Sequence, residues 1–248
     1  MQNTGEKWVL IGATKGLGFS LAQWLMENQN VAAENILVIG RSTMPNSTIP
    51  FYPCDLSNSD NWPSLIERIM QFSAQRIIYF AGGGPFGHYG DKDFKDHQWA
   101  WNVTYMAFAY LLHAMLKKKS STAATPSVAV RQIIAIGSAV AERAADPGAA
   151  SYSAAKHALK GLIQSVQIEL AQVTSVKSTL DASGSVALDL RLFSPGYMQT
   201  GMLPMQAWPY QFPNMVKDSS HVASELGEWA LNPNEHGKNR VLAVYPKS

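Results

Sequence analysis

The sequence predicts an α/β protein in which one parallel sheet is covered by helices on both faces. Three observations indicate this: short runs rich in Val, Ile and Leu, longer helical patterns between them, and a glycine-rich loop directly after the first run. Continuous apolar runs are typical of parallel strands buried on both faces, and the interleaved helices supply that cover. In a chain of 248 residues, about seven strands and five or six helices fit one doubly wound domain, residues 1–248.

Seven short runs have the composition of strands. They are Trp8–Ile11, Asn35–Ile39, Ile49–Pro53, Arg76–Phe80, Gln132–Ile136, Val186–Phe193 and Val241–Tyr245. Helices are expected near Leu17–Asn28, Trp62–Phe72, Lys95–Lys119, Ser151–Val173 and His221–Leu231. Polar composition predicts loops at Ser120–Ser127 and Thr174–Ser185. The segment 194–218 is dense in Pro, Met and aromatic residues without a clear period, which indicates a substrate-binding loop or lid.

The composition excludes several classes of protein. Hydrophobic residues make up 46% and charged residues 15%, so a disordered or fibrous chain is excluded and a large buried core is expected. The net charge of +2, without a dense basic stripe, argues against a nucleic-acid partner. No metal site is expected.

The cysteine count and the apolar segments bear on location. Cys54 is the only cysteine, so no internal disulfide can form, and the first residues carry no signal-peptide pattern. Trp99–Leu116 has no Asp, Glu, Lys or Arg over eighteen residues, but Asn102, Thr104 and His113 interrupt it. We therefore expect a buried helix there rather than a membrane span, and a cytoplasmic protein.

The glycine-rich loop predicts a nucleotide cofactor. It follows the first strand and precedes the first helix, and it contains Gly12, Thr14, Lys15, Gly16, Leu17 and Gly18. Glycines there let the backbone turn tightly and approach a pyrophosphate, which binds at the positive end of the helix. An ordinary strand-to-helix turn is the alternative.

The charges near this loop favour NADP(H) over NAD(H). Binders of NAD usually carry an acidic residue some twenty residues beyond the glycines, whereas this chain has Arg41 and Ser42 after its second strand. Arg41 and Lys15 are suited to the additional phosphate of NADP(H). The alternative is that both are solvated surface cations.

A carboxylate after the third strand is a further candidate for the cofactor site. Asp55, followed by Leu56, stands where it could accept a hydrogen bond from the adenine amino group. The alternative is that Asp55 or Ser57 caps the following helix.

A serine, a tyrosine and a lysine predict the chemistry. Ser138 follows the strand Gln132–Ile136, and Tyr152 and Lys156 lie at i and i+4 in a helical pattern, on one face. An ammonium near a tyrosine favours the phenolate, and lowering the tyrosine pKa from about 10 to about 7 requires ~4 kcal/mol. Lys156 and the charge of a nicotinamide are expected to supply this, making Tyr152 a proton donor or acceptor at neutral pH.

The order of these motifs resembles that of the short-chain dehydrogenases/reductases, in their one-domain branch. The resemblance rests on Gly12, Gly16, Gly18, Asn102, Ser138, Tyr152, Lys156, Ser194, Pro195, Gly196 and Thr200, and covers the chain from Lys7 to about Tyr245. It implies a Rossmann-type domain and a tetrad of Asn102, Ser138, Tyr152 and Lys156. Tyr152 would protonate a carbonyl oxygen that Ser138 also binds, Lys156 would hold the ribose, and Asn102 would hold a water.

The resemblance also implies further cofactor contacts. Pro195 and Gly196 would line the nicotinamide, with Thr200 near its carboxamide, and Ala81, Gly82 and Gly83 would line the cofactor after the fourth strand. Where the family usually has Asn-Asn-Ala-Gly, this chain has Tyr79-Phe80-Ala81-Gly82, which puts the packing of sheet and adenosine in question.

The leading hypothesis is an NADPH-dependent reductase of a ketone or a 3-oxoacyl compound. Candidates for the substrate pocket, mostly apolar, are Phe86, His88, Tyr89, Val140, Glu142, Tyr197, Met202, Leu203 and Trp208. The resemblance implies a homodimer or homotetramer through the helices Lys95–Lys119 and Ser151–Val173. The alternatives are an NAD-retaining epimerase or dehydratase relative and a non-catalytic NADP(H) sensor.

Overall fold

Nine strands and six helices lie within the part of the chain that the structure describes. The computed structural model describes residues 5–44, 48–119, 130–142, 146–177, 188–201, 203, 205, 208–212 and 214–242. The strands are β1 (Trp8–Ile11), β2 (Ile36–Gly40), β3 (Phe51–Pro53), β4 (Arg76–Tyr79), β5 (Gln132–Ile136), β6 (Asp189–Ser194), β7 (Tyr197–Met198), β8 (Val216–Lys217) and β9 (Arg240–Val241). The helices are α1 (Gly16–Gln29), α2 (Trp62–Phe72), α3 (Phe94–Trp101), α4 (Ala107–Lys119), α5 (Ala150–Lys177) and α6 (Ser219–Leu231).

The main sheet has seven parallel strands in the order β3-β2-β1-β4-β5-β6-β9, which confirms the predicted doubly wound α/β fold. β7 and β8 form a separate parallel pair in the segment 194–218. The strand order reverses direction between β1 and β4, and ligands of such sheets bind in the crevice outside the carboxyl ends at this point.

Apolar side chains on both faces of the sheet create two cores. Residues of α1 and α6 pack with one face, including Leu21, Leu25 and Leu226, all fully buried. Residues of α2, α4 and α5 pack with the other face, including Ile69 and Phe108. Because strands covered on both sides are apolar at every position, their runs were recognisable in the sequence.

The bounds of several elements differ from the predictions. β1, β5 and α2 have the predicted bounds, β4 ends one residue earlier than predicted, and β2 and α1 differ from the predictions by one residue at each end. α5 continues to Lys177, so the predicted loop at Thr174–Ser185 began too early. Residues 120–127, 178–187, 202 and 243–248 lie outside the described residues, and with them the other predicted polar loop and most of the predicted last strand.

The predicted single helix Lys95–Lys119 is wrong in its middle. A π-helical turn over Asn102–Met106 separates α3 from α4. Such turns require an inserted residue and frequently occur at functional sites.

Among the described residues, no helix combines the length and the apolar character needed to cross a membrane.

A buried polar network lies at the amino ends of β5 and β6, which is the end of the sheet opposite to the glycine loop. Arg191 is 1% exposed and pairs with Asp189 at 2.7 Å, while its Nη1 donates to the carbonyl of Trp229 at 2.7 Å. Gln132 donates to Asp189 and to the carbonyl of Ala230. These bonds satisfy carbonyls at the end of α6 and attach that helix to the sheet.

Candidate active site

A cleft of about 200 Å³ lies at the carboxyl ends of β1 and β4, where the strand order reverses. Gly12 has φ +79°, and a Cβ atom there would come within 2.6 Å of the backbone nitrogen of Ala81. Only glycine therefore allows the loop after β1 to turn and to touch the segment after β4. The cleft is lined by Gly12, Thr14, Lys15, Arg41, Ser42, Cys54, Asp55, Leu56, Ala81, Gly82, Trp99 and Val103.

The amino end of α1 faces this cleft without a side-chain cap. Lys15 precedes the helix with extended backbone, makes no capping hydrogen bond, and no acidic residue occupies the first turn. Gly18 packs so closely that a Cβ atom would lie 2.5 Å from the Cα of Ala13. Leu17 is buried beneath, so it faces the core rather than the cleft. The uncapped N–H groups and the lysine fit an anionic diphosphate.

Arg41 lines the same cleft as the glycine loop and packs against the aromatic ring of Trp99, which the sequence analysis did not identify as a site residue. Its guanidinium is 5.6 Å from the centroid of Trp99, which projects from α3. Trp99 also approaches Gly83, where a Cβ atom would meet the ring at 3.0 Å. Trp99 belonged to the apolar run Trp99–Leu116, and nothing in that run distinguishes a cleft-lining ring from a buried one.

Asp55 forms a local turn instead of capping a helix. Its Oδ1 accepts hydrogen bonds from the backbone N–H of Ser57 at 3.0 Å and from the Ser57 hydroxyl at 2.8 Å. These bonds, with the charge of Arg41, hold the Asp55 pKa below its usual value. Asn61 occupies the N-cap position of α2, so the helix-cap interpretation was wrong. The carboxylate lines the cleft, where its contact with adenine stays a prediction.

Ser138, Tyr152 and Lys156 meet at the carboxyl end of β5. The hydroxyls of Ser138 and Tyr152 are hydrogen-bonded. Lys156 is 2% exposed, its Nζ lies 5.6 Å from the Tyr152 ring centroid, and it donates to the carbonyl of Ile136 at 2.6 Å. The i, i+4 spacing on α5 therefore places phenol and ammonium beside one another, as expected.

The pKa values of this pair differ from the expectation. Desolvation raises the Tyr152 pKa, the bond to Ser138 opposes the rise, and the charge of Asp146 adds to it. Burial lowers the Lys156 pKa to about 7. Without the cofactor the Tyr152 pKa is therefore raised rather than lowered, because both groups leave water and Lys156 loses part of its charge. The lowering expected from Lys156 together with a nicotinamide charge stays a prediction.

Asn102 and Thr104 are both near this region but make different contacts. The Asn102 amide donates to the carbonyl of Ser57 at 3.0 Å, which links the π-helical turn to the Asp55 loop. Among the described residues it makes no hydrogen bond with Ser138, Tyr152 or Lys156. The water-holding role implied for Asn102 stays a prediction. Thr104 is fully buried and bonds to Gly83.

The tyrosine that replaces the family's asparagine has contacts of its own. Tyr79 is fully buried, and its hydroxyl donates to the carbonyl of Val103 at 2.6 Å. Its ring packs edge-on against Phe108 at 5.3 Å. Phe80 contacts the glycine loop, where a Cβ atom on Gly18 would lie 3.1 Å from its ring. The Tyr79 hydroxyl thus links β4 to the π-helical turn that contains Val103.

A second cleft, largely apolar, adjoins Ser138 and Tyr152. Its lining residues are Gly83, Gly84, Pro85, Phe86, Ser138, Val140, Asp146, Pro147, Ala149, Tyr152, Gly196, Tyr197, Met198, Thr200, Leu203 and Pro209. Four of the predicted pocket residues are among them, including Leu203. Tyr89 faces a separate cavity beside α3, and Glu142 instead binds Ser194 and Lys160.

Residues after β6 join the two clefts. Gly196 and Thr200 line this second cleft, and Thr200 also contacts Gly16, where a Cβ atom would lie 3.3 Å from its methyl group. Pro195 is buried at the end of β6. Of the remaining pocket candidates, His88 precedes a short 3₁₀ turn, and Met202 lies outside the described residues. The side-chain surroundings of Trp208 are likewise outside the described part of the chain.

The chain is similar to known proteins of one family. The sequence model of a family described as short chain dehydrogenase matches residues 7–203. The hydroxysteroid 11-beta-dehydrogenase 1-like protein of Gallus gallus is 26% identical over 211 residues, 77% of this chain and 68% of that protein.

Solved structures share the fold. A short chain dehydrogenase from Burkholderia cenocepacia, in complex with NADP, has a TM-score of 0.74 at 15% identity, covering 98% of both chains. A 4-hydroxyisoleucine dehydrogenase complexed with NADH and succinate has a TM-score of 0.74 at 17% identity, covering 95% of this chain and 97% of that one. Because the family match spans most of the sequence and the fold agrees throughout, this chain belongs to the short chain dehydrogenase family of oxidoreductases.

Proposed function

We propose that the protein reduces a ketone or 3-oxoacyl carbonyl to an alcohol with NADPH. The observation that carries this proposal is the hydrogen-bonded pair of Ser138 and Tyr152, which lies in the apolar cleft with Lys156 behind it. Two hydroxyls beside one another can donate to the same carbonyl oxygen. Apolar walls suit a substrate with an apolar body.

The residues of the first cleft, at the carboxyl ends of β1 and β4, fit a dinucleotide. The close approach of Gly12 to Ala81 and the uncapped start of α1 support a diphosphate site. When bound, NADPH supplies the hydride. Lys15 and Arg41 would bind the additional phosphate, Lys156 would donate to ribose hydroxyls, and Trp99 would support the Arg41 guanidinium.

The residues of this chain would handle the proton. Tyr152 O–H donates to the carbonyl oxygen and transfers its proton there as the oxygen gains negative charge, while Ser138 donates a second hydrogen bond. A raised tyrosine pKa keeps the phenol protonated before reaction. Lys156, with its pKa near neutrality, would then help to return a proton to Tyr152.

NADPH consumption across a carbonyl panel tests the proposal. The panel spans 3-oxoacyl thioesters, quinones, aldehydes and ketosteroids, each measured with NADPH and with NADH. Turnover that is faster with NADPH is the expected result. Tight NADPH binding without any turnover would favour the sensor, and NAD retained through purification would favour an epimerase or dehydratase relative.

Replacing Arg41 by alanine is expected to reduce the preference for NADPH. Losing one charge-assisted hydrogen bond costs ~1.5–3 kcal/mol, so kcat/KM for NADPH should fall ~10- to 100-fold. The value for NADH should change little, since NADH lacks the phosphate. Lys238→Ala, an exposed cation in the turn before β9, is the matched control. Equal losses with both cofactors would contradict the phosphate role.

A homodimer or homotetramer belongs to the same proposal. Trp101 of α3, Met106 of the π-helical turn and Tyr110 of α4 are exposed, and Ile168 and Val173 are exposed on α5 at 61% and 52%. Analytical ultracentrifugation should give two or four times 27.1 kDa, and Ile168→Asp should shift the population toward the single chain. A single chain at every concentration would contradict the oligomer proposal.

The cytoplasmic location expected from the lone cysteine is likewise proposed.

A further inference from the structure

The π-helical turn over Asn102–Met106 makes three hydrogen bonds with β4 and the segment that follows it, besides the bond from Asn102 to Ser57. Tyr79 O–H donates to the carbonyl of Val103 at 2.6 Å, deep in the core. Thr104 Oγ1 accepts from the N–H of Gly83 and donates to the carbonyl of Gly83, each at 3.2 Å. The turn is therefore bonded both to β4 and to the segment Gly82-Gly83 that follows β4, which we call the Gly82-Gly83 strip.

The Gly82-Gly83 strip lies between Thr104 and Lys156. A Cβ atom placed on Gly82 would come within 3.1 Å of Lys156 Nζ and 3.5 Å of Thr104 Oγ1. The ammonium and the buried hydroxyl thus approach the same glycine. With respect to the described residues, Lys156 Nζ has one hydrogen bond, to the carbonyl of Ile136.

Thr104 has the properties of a built-in clamp. It is 0% exposed, and both of its side-chain hydrogen bonds within the described part of the chain go to Gly83, so they set the position of that residue rather than the general stability of the helix. Asn102, by contrast, bonds to Ser57 at the adenine end of the cleft. The two polar residues of the turn therefore support different parts of the site.

We propose that Thr104 is the positioning residue for Lys156: its hydroxyl holds the Gly82-Gly83 strip against the ammonium and so fixes where Lys156 can donate. This inference rests on the proposed function for its kinetic consequence. Loosening the strip would let Lys156 and Tyr152 lose their alignment, and misplacement by about 1 Å can cost on the order of 10²-fold in rate.

Thr104→Val tests the clamp, because valine keeps the shape of threonine and lacks the hydroxyl. We expect kcat to fall ~10- to 100-fold, while KM for the carbonyl and Kd for NADPH stay within about threefold. The pH profile of kcat should shift as well. Thr104→Ser keeps the hydroxyl and should stay within about threefold of wild type. The proposal would be overturned if Thr104→Val had the same kcat and the same pH profile of kcat as the wild type.

Two further measurements keep the test decisive. If Thr104→Val fails to fold, Tyr79→Phe releases the turn from the other side and should give the same signature, in smaller measure. If Asn102→Ala gives that signature and Thr104→Val does not, Asn102 has the role instead.

A readout without turnover separates this inference from the proposed function. Acetic anhydride labelling of Lys156 in the cofactor-free protein, followed by mass spectrometry, reports the pH midpoint of its amine. Thr104→Val should raise this midpoint, since a loosened strip admits water, and Thr104→Ser should leave it in place. An unchanged midpoint in Thr104→Val would overturn the clamp even if no panel carbonyl is reduced.

Discussion

Replacing Tyr152 by phenylalanine is expected to lower kcat ~10²- to 10⁴-fold, the range that general acid catalysis contributes. The ring keeps its packing at the start of α5, while the proton donor and its bond to Ser138 are lost. NADPH should bind with a Kd within about threefold of wild type, because the diphosphate and additional phosphate are held elsewhere. Stopped-flow NADPH oxidation with the best carbonyl of the panel measures the chemical step.

Tyr52→Phe is the matched control for this variant. Tyr52 lies on β3, at the edge of the sheet, and packs against the core on that side. The Tyr52→Phe variant should reduce the carbonyl at the wild-type rate. Retention of more than about a tenth of the wild-type kcat by Tyr152→Phe would remove the phenol from the mechanism.

Replacing Lys156 by methionine is expected to abolish turnover and at the same time stabilise the cofactor-free protein. Lys156 is 2% exposed, and burial lowers its pKa from 10.5 to about 7. An unfolded chain restores the ordinary pKa, so at neutral pH burial of this lysine opposes folding. Methionine fills a similar volume without that cost, and the free energy of unfolding at pH 7 should rise by roughly 1–3 kcal/mol.

The pH dependence gives the sharper test. Between about pH 7 and 10.5 the unfolded chain binds more protons at this site than the folded one, so its contribution makes stability rise with pH. The advantage of Lys156→Met should therefore shrink by about 2 kcal/mol between pH 7 and pH 9. Urea unfolding of wild type, Lys156→Met and the exposed-site control Lys238→Met measures it. A constant advantage across this range would show that burial does not lower the Lys156 pKa.

The sequence was sufficient to predict the central strands of the sheet and the proximity of Tyr152 and Lys156. β1 is apolar at every position and β5 at every position after its first residue, Gln132, so both strands could be placed to the residue. The glycine loop is local, and its position after β1 determines its place in the fold. Tyr152 and Lys156 share a helix face because of their spacing alone, so their proximity required no knowledge of distant contacts.

What the sequence could not supply depends on contacts between distant segments. The π-helical turn is held by Tyr79 and by Gly83, some twenty residues before it, and its own residues carry no breaking signal. Thr104 was treated as one polar interruption of an apolar run, although it contacts the strip beside Lys156. Trp99 was likewise hidden in that run.

The pKa values were unpredictable for the same reason. The expected effect of Lys156 on Tyr152 assumed a fully charged ammonium. Burial depends on how α5 packs against β5 and the glycine strip, and it lowers the lysine pKa toward neutrality. Burial cannot be read from an i, i+4 spacing.

Transfer of deuterium from NADPH labelled at nicotinamide C4 tests the central proposal most directly. The two stereoisomers of the labelled cofactor are each incubated with the best carbonyl of the panel, and the product is examined by mass spectrometry and NMR. We expect one isomer to deliver a single deuterium to the carbon that bears the new hydroxyl, and Tyr152→Phe to suppress this transfer. A reduced product that contains no deuterium from either isomer would contradict hydride transfer at this site.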